Sequence, residues 1–99
     1  MRESQVERHL VAAARKLGGQ AIKWTAPGTA GVPDRIVLLP CGCTRLVELK
    51  AENQKPRPLQ LATFAKLAAI NHPVTVLDSV RAVDEWIAVQ ASHVNHCRT

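Results

Sequence analysis

Asp34 stands just before one short apolar run, Ile36-Val37-Leu38-Leu39. Glu48 sits inside a second, Leu46-Val47-Glu48-Leu49, and Lys50 follows two positions on. A small chain needs both runs for its core, so three charges on them ask for a chemical reason. Two converging carboxylates can hold a hard dication, and oxygen ligands with no His or Cys beside them favour Mg²⁺ or Mn²⁺. Such an ion accepts phosphate oxygens and activates water. A lysine alongside can orient that water or stabilise the charge that develops on the phosphorus centre.

Convergence depends on strand register. With strands at 35–39 and 45–50 and a turn at 40–44, Leu39 faces Arg45, Val37 faces Val47, Ile36 faces Glu48 and Asp34 faces Lys50. Opposed residues, and residues two apart along a strand, point to one side of a sheet. Asp34, Glu48 and Lys50 then share a face at the open end of the hairpin. Asp34 and Glu48 are diagonal neighbours about 7–8 Å apart at their backbones. Val37, Val47 and Leu49 point the other way and can bury against a helix. A slip of one residue would put the two carboxylates on opposite faces. The plain alternative is an exposed Asp34–Lys50 ion pair with a solvated Glu48.

The flanking elements follow from periodicity. Val6, Leu10, Ala13, Ala14 and Leu17 recur at helical spacing over 3–17, and Gly18-Gly19 ends that helix. Residues 20–25 read as a first strand. Two glycines and two prolines in 26–33 make a loop. Pro58 opens a second helix, apolar on one face through Ile70. Val74 to Leu77 is a short strand that can return parallel to 45–50. A last helix runs to about Ala91, with 91–99 expected to fray. The order is helix, three strands, helix, strand, helix, which is an α/β fold with a mixed sheet.

The 99 residues suit a single domain, 1–99, with a modest core built from aliphatic side chains, since only 3% are aromatic. A net charge of +5 makes a polyanion, nucleic acid first, the candidate partner. No stretch approaches the roughly 18 apolar residues of a membrane span, and the polar N-terminus is not a signal peptide. Three cysteines without export signals point to free thiols in a reducing cytoplasm. Cys41-Gly42-Cys43, with His93, His96 and Cys97, raises a zinc reading. The tight Cys-x-Cys spacing and the expected fraying of the tail count against it.

"GVPDRIVLLP" followed by "LVELKAE" resembles the PD-(D/E)xK nuclease superfamily, through Pro33-Asp34 and Glu48-Leu49-Lys50. The Gly-Val-Pro-Asp form, the small size and Gln60 look like its VRR-NUC group, of the stand-alone phage or bacterial type. The resemblance spans roughly Val6 to Leu77. It implies an αβββαβ core, a mixed four-stranded sheet flanked by helices, here with an extra C-terminal helix. It further implies Mg²⁺- or Mn²⁺-dependent phosphodiester hydrolysis, with Asp34, Glu48 and the backbone carbonyl of Leu49 as ligands and Lys50 as the base or water-orienting group. Glu7 matches an acidic position on the first helix, and Gln60 a supporting glutamine. Stand-alone members look like homodimeric nucleases selective for branched, Holliday-junction-like DNA.

Beyond the motif, Lys55 and Arg57 suit phosphate contacts, as do Lys23 and Arg35. The loop from Gly28 to Gly31 can bring backbone N–H groups near a phosphate. The expected function is a metal-dependent DNA endonuclease acting on branched or duplex DNA in the cytoplasm of a bacterial or phage-infected cell, with no membrane partner. The rival is a non-catalytic nucleic-acid-binding or assembly module of the same fold.

Overall fold

The computed structural model describes residues 2–97. In chain order the elements are α1 (Glu3–Lys16), β1 (Gln20–Lys23), β2 (Arg35–Leu38), β3 (Thr44–Leu49), α2 (Pro58–Ala69), β4 (Val74–Leu77) and α3 (Val80–Cys97). The strands form one sheet in the order β1-β2-β3-β4; the first two pairings are antiparallel, and β4 lies parallel to β3. A helical connection between β3 and β4 is what parallel neighbours require.

Helices α1 and α3 cover one face of the sheet. The fourfold spacing of Val6, Leu10 and Ala14 makes a buried stripe on α1, and all three are fully buried. They close a core with Val37, Val47, Leu49 and Leu77 from the sheet and Val83 and Val94 from α3. Val37, Val47 and Leu49 are 0% exposed, as strand alternation predicts. Gly18, at φ +97°, supplies the left-handed residue after the last turn of α1. Helix α2 lies over the opposite face and buries only Phe64; Leu59, Leu61 and Ile70 remain more than half exposed.

The hairpin register differs from the sequence expectation by two residues. Val37 pairs with Arg45, and Arg35 with Val47. The cause is a shorter turn than 40–44. Gly42 N–H donates to the Leu39 carbonyl at 3.0 Å, and Leu39 N–H to the Cys43 carbonyl at 2.9 Å. Pro40 suits the second position of such a turn, and Gly42 adopts φ +92°. A two-residue shift preserves every side-chain face, because the strand period is two. The C-terminal segment also differs: 91–97, expected to fray, completes the helix through Cys97, while 98 and 99 lie outside the described residues. Buried Val94 ties that extension to the core, and Gln90, just before it, bonds Arg45 of the sheet at 3.0 Å.

The two faces differ in what they contribute to stability. Leu10→Ala should cost about 3 kcal/mol through lost burial and a residual cavity. Leu61→Ala, 53% exposed on α2, should change stability by less than about 0.5 kcal/mol. Urea unfolding of the two variants beside the parent chain measures both.

Candidate active site

Extending the observed β2–β3 register by one residue sets Asp34 directly opposite Glu48. Asp34 ends the loop that leaves β1; the preceding Pro33 is fully buried, and Trp24 N–H bonds to the Asp34 carbonyl at 3.0 Å. The two acidic residues then interlock across the strands. The Asp34 N–H donates to Glu48 Oε1 at 3.2 Å, and the Leu49 N–H donates to Asp34 Oδ2 at 2.9 Å. The remaining Glu48 oxygen, Oε2, lies 3.2 Å from Lys50 Nζ and accepts from Gln60 Nε2 at 2.8 Å.

Glu48 is 1% exposed. Burial, reinforced by the neighbouring Asp34 charge, pushes its carboxyl above the ordinary carboxylate range, while Lys50 and Gln60 pull the other way. A buried carboxylate beside a second one, with Lys50 the one lysine among the described residues of the cleft, is a donor set that a dication would stabilise. Asp34, Glu48 and the adjoining backbone therefore fit a hard cation bound through oxygen.

Gln60 is held at both ends. Its Oε1 accepts from the Arg57 N–H at 2.9 Å, closing the first turn of α2, while its Nε2 reaches Glu48. Proline at the start of α2 leaves no backbone donor wasted there. The 26–33 loop docks on the same helix: Thr63 Oγ1, one turn further on, donates to the Ala30 carbonyl at 2.8 Å. Gly31, at φ +80°, leaves no room for a side chain, since a Cβ there would come within 2.9 Å of the Leu59 carbonyl. Gly28, at φ +82°, faces open space.

These groups line a cleft of about 450 Å³ that also takes in Glu3, Val32, Arg57 and Leu59. A larger hollow of about 650 Å³ between α1 and α3 includes His9 and Asp84 but none of the paired carboxylates. The site thus brings together Asp34, Glu48, Lys50 and Gln60, with Leu49 between two of them. Gly31 and Arg57 stand at its edge; Gly28, Lys55 and Lys23 are exposed.

Two of the expected residues are engaged elsewhere. Glu7 Oε2 accepts from Arg35 Nε at 3.0 Å, and Arg35 also donates to the Ala21 carbonyl at 3.1 Å. Arg35 points to the α1 face because it alternates with Ile36, so it spends its guanidinium on Glu7 rather than on the cleft. Glu3, one turn earlier on α1, lines the cleft in place of Glu7. The sequence carries the signal for Glu3, an acidic first-turn residue four positions before Glu7. It does not say how far the N-terminus of α1 overhangs the sheet.

No family model matches the chain. A phage protein named "Putative nuclease p44", from Acyrthosiphon pisum secondary endosymbiont phage 1, is 52% identical over 79 residues, covering 80% of this chain and 85% of that protein. A solved structure described as a VRR_NUC domain superposes with a TM-score of 0.82 at 34% identity, covering 87% of this chain and 94% of the other. The chain therefore belongs to the VRR-NUC family.

The docking of the loop on α2 is testable. Gly31→Ala meets both a positive φ and a backbone carbonyl, and should lower stability by about 2–3 kcal/mol in urea unfolding. Gly28→Ala, with the same backbone strain but open space, should cost about 1 kcal/mol.

Proposed function

We propose that this protein is a Mg²⁺- or Mn²⁺-dependent DNA endonuclease that hydrolyses phosphodiester bonds at the Asp34–Glu48–Lys50 cleft. The observation that carries this reading is the interlocked carboxylate pair with Lys50 Nζ 3.2 Å from Glu48. Membership of the VRR-NUC family supports it, as does similarity to the phage protein named "Putative nuclease p44".

Asp34, Glu48 and the backbone carbonyl of Leu49 would hold the cation, with Glu3 as a further acidic group in the role that the family resemblance assigns to Glu7. The bound ion would supply Lewis-acid polarisation of the phosphodiester and a more acidic water. Among the described residues Lys50 is the only lysine in the cleft lining, and it would orient the attacking water or stabilise the charge developing on the phosphate. Gln60 acts as a positioning residue, fixing one Glu48 oxygen against the first turn of α2. Arg57 at the rim, with Lys55 and the N–H groups of the Gly28–Gly31 loop, would hold the nucleic-acid backbone without reading its sequence; Lys23, expected among these contacts, pairs with Arg35 and so faces the α1 side of the sheet, away from the cleft.

Selectivity for branched DNA and a homodimeric state belong to the same proposal. A two-fold pair would present two equivalent clefts to two strands of like geometry. The exposed Leu59 and Leu61 on α2, and Ile70 just past its end, offer apolar surface for such a pair. The place of action would be the cytoplasm of a bacterial or phage-infected cell. The rival reading, a DNA-binding module without catalysis, shares the basic surface but gives no reason for a buried Glu48 beside Asp34 and a lysine in one cleft.

Incubation with a four-way junction, a flap and a linear duplex, in Mg²⁺, Mn²⁺ or EDTA, tests the proposal. Cleavage is expected only with metal, and fastest on the junction. Lys50→Ala and Asp34→Asn should each slow it by about 10²–10⁴-fold. Absence of cleavage by the wild type, or undiminished cleavage by Lys50→Ala, would sink the enzyme reading. Glu3→Gln should reduce turnover, whereas Glu7→Gln should act through stability, by unpairing Arg35. Sedimentation velocity at assay concentration separates dimer from monomer.

A further inference from the structure

The turn of the β2–β3 hairpin and the last two turns of α3 meet at a second cluster of ligand-type side chains. Cys41, Cys43, His93 and Cys97 each offer one atom, and these four atoms all lie within 4.8 Å of one another. His93 Nε2 is 3.2 Å from Cys43 Sγ, and Cys43 Sγ is 3.7 Å from Cys97 Sγ. In a tetrahedral zinc site with Zn–S near 2.3 Å, neighbouring sulfurs stand about 3.8 Å apart. The thiols are free rather than paired in a disulfide. We propose that these four residues form a structural zinc site, Cys₃His, that clamps the hairpin turn to the end of α3.

The local structure explains how the ligands converge. His93 and Cys97 are four apart on a helix and so lie on one face. The tight Cys-x-Cys pair is accommodated by the short turn, in which Gly42 at φ +92° reverses the chain between the two sulfurs. Cys43 points to the α3 face for the same reason as Arg45, which reaches Gln90 one turn before His93. His96 stands apart from the group, its Nδ1 lying 2.7 Å from the Ser92 carbonyl. Three thiolates and an imidazole are a borderline-soft donor set that selects zinc over magnesium or calcium. Four protein ligands close the coordination sphere, as structural rather than catalytic zinc requires.

The cluster is separate from the carboxylate cleft. Cys43 and Glu48 lie at opposite ends of β3, about 17 Å apart at the strand rise per residue. They also point to opposite faces of the sheet. The zinc would thus act on the cleft only by fixing β3 from its far end and holding α3 on the core.

Metal analysis of the protein purified without chelator tests the site. About one zinc per chain is expected in the wild type, and equally in Asp34→Asn and Glu48→Gln, which alter only the cleft. Cys97→Ser, at an exposed helix end, should retain the fold and weaken zinc binding by more than about tenfold. Zinc-stripped wild type titrated with Co²⁺ should develop the intense visible absorption of tetrahedral thiolate coordination, and Cys97→Ser should not. Stripping should lower the thermal unfolding midpoint of the wild type and leave that of Cys97→Ser unchanged. Zinc-free protein that gives no cobalt spectrum would overturn the proposal. So would a Cys43–Cys97 disulfide in freshly purified protein under reducing conditions, zinc retained in full by Cys97→Ser, or zinc lost in the cleft variants. These readouts are independent of nuclease activity, so the clamp can fail while the endonuclease reading stands, and the reverse.

Discussion

A carboxylate taken almost entirely out of water must have both oxygens answered, and Glu48 does. Asp34 supplies its backbone N–H to one oxygen; Gln60 and Lys50 share the other. Each of those donors comes from a different part of the chain. The constraint therefore fixes the loop before β2, the end of β3 and the first turn of α2 relative to one another. Removing any one of them leaves a buried charge short of a partner, which costs more than the net worth of the lost bond.

The rest of the fold serves that arrangement. On the far face of β3, Val47 and Leu49 anchor the strand in the aliphatic core formed with α1 and α3. The same strand turns Glu48 and Lys50 toward α2. Because alternate residues belong to opposite faces, one six-residue strand binds the core on one side and builds the cleft on the other. Helix α2 buries little apolar surface of its own, so its position rests heavily on polar ties. Gln60 binds Glu48, Thr63 binds the Ala30 carbonyl, and Gly31 lets the loop approach closely. This is a design in which the site itself helps hold an element in place.

The register of the hairpin shows how tolerant that design is. A turn two residues shorter than 40–44 moves every cross-strand pair, yet Asp34, Glu48 and Lys50 stay on one face. The change even improves convergence, since Asp34 stands opposite Glu48 rather than diagonal to it. A one-residue change would have separated them. The shorter turn also brings Cys41 and Cys43 over the end of α3, so the same local geometry shapes both ends of β3.

Much was legible from local pattern alone. Element order, the parallel return of β4, the burial of Val37, Val47 and Leu49, and the shared face of Asp34, Glu48 and Lys50 all follow from periodicity and connection length, which depend on neighbours in sequence. Gln60 was legible as a motif position, although its double engagement with Arg57 and Glu48 was not. Which acidic residue of α1 reaches the cleft, Glu3 or Glu7, and whether Arg35 is available to a ligand depend on how the helix sits across the sheet. The same holds for the four-residue cluster at 41, 43, 93 and 97, which joins segments some fifty residues apart. By itself the sequence determined the order and type of the elements, the core stripe and the acidic motif, because each is written in short-range spacing. Only the tertiary structure decided the partners of Glu7, the length of α3 and the meeting of the hairpin turn with its last turns, because packing between distant elements, not periodicity, sets those distances.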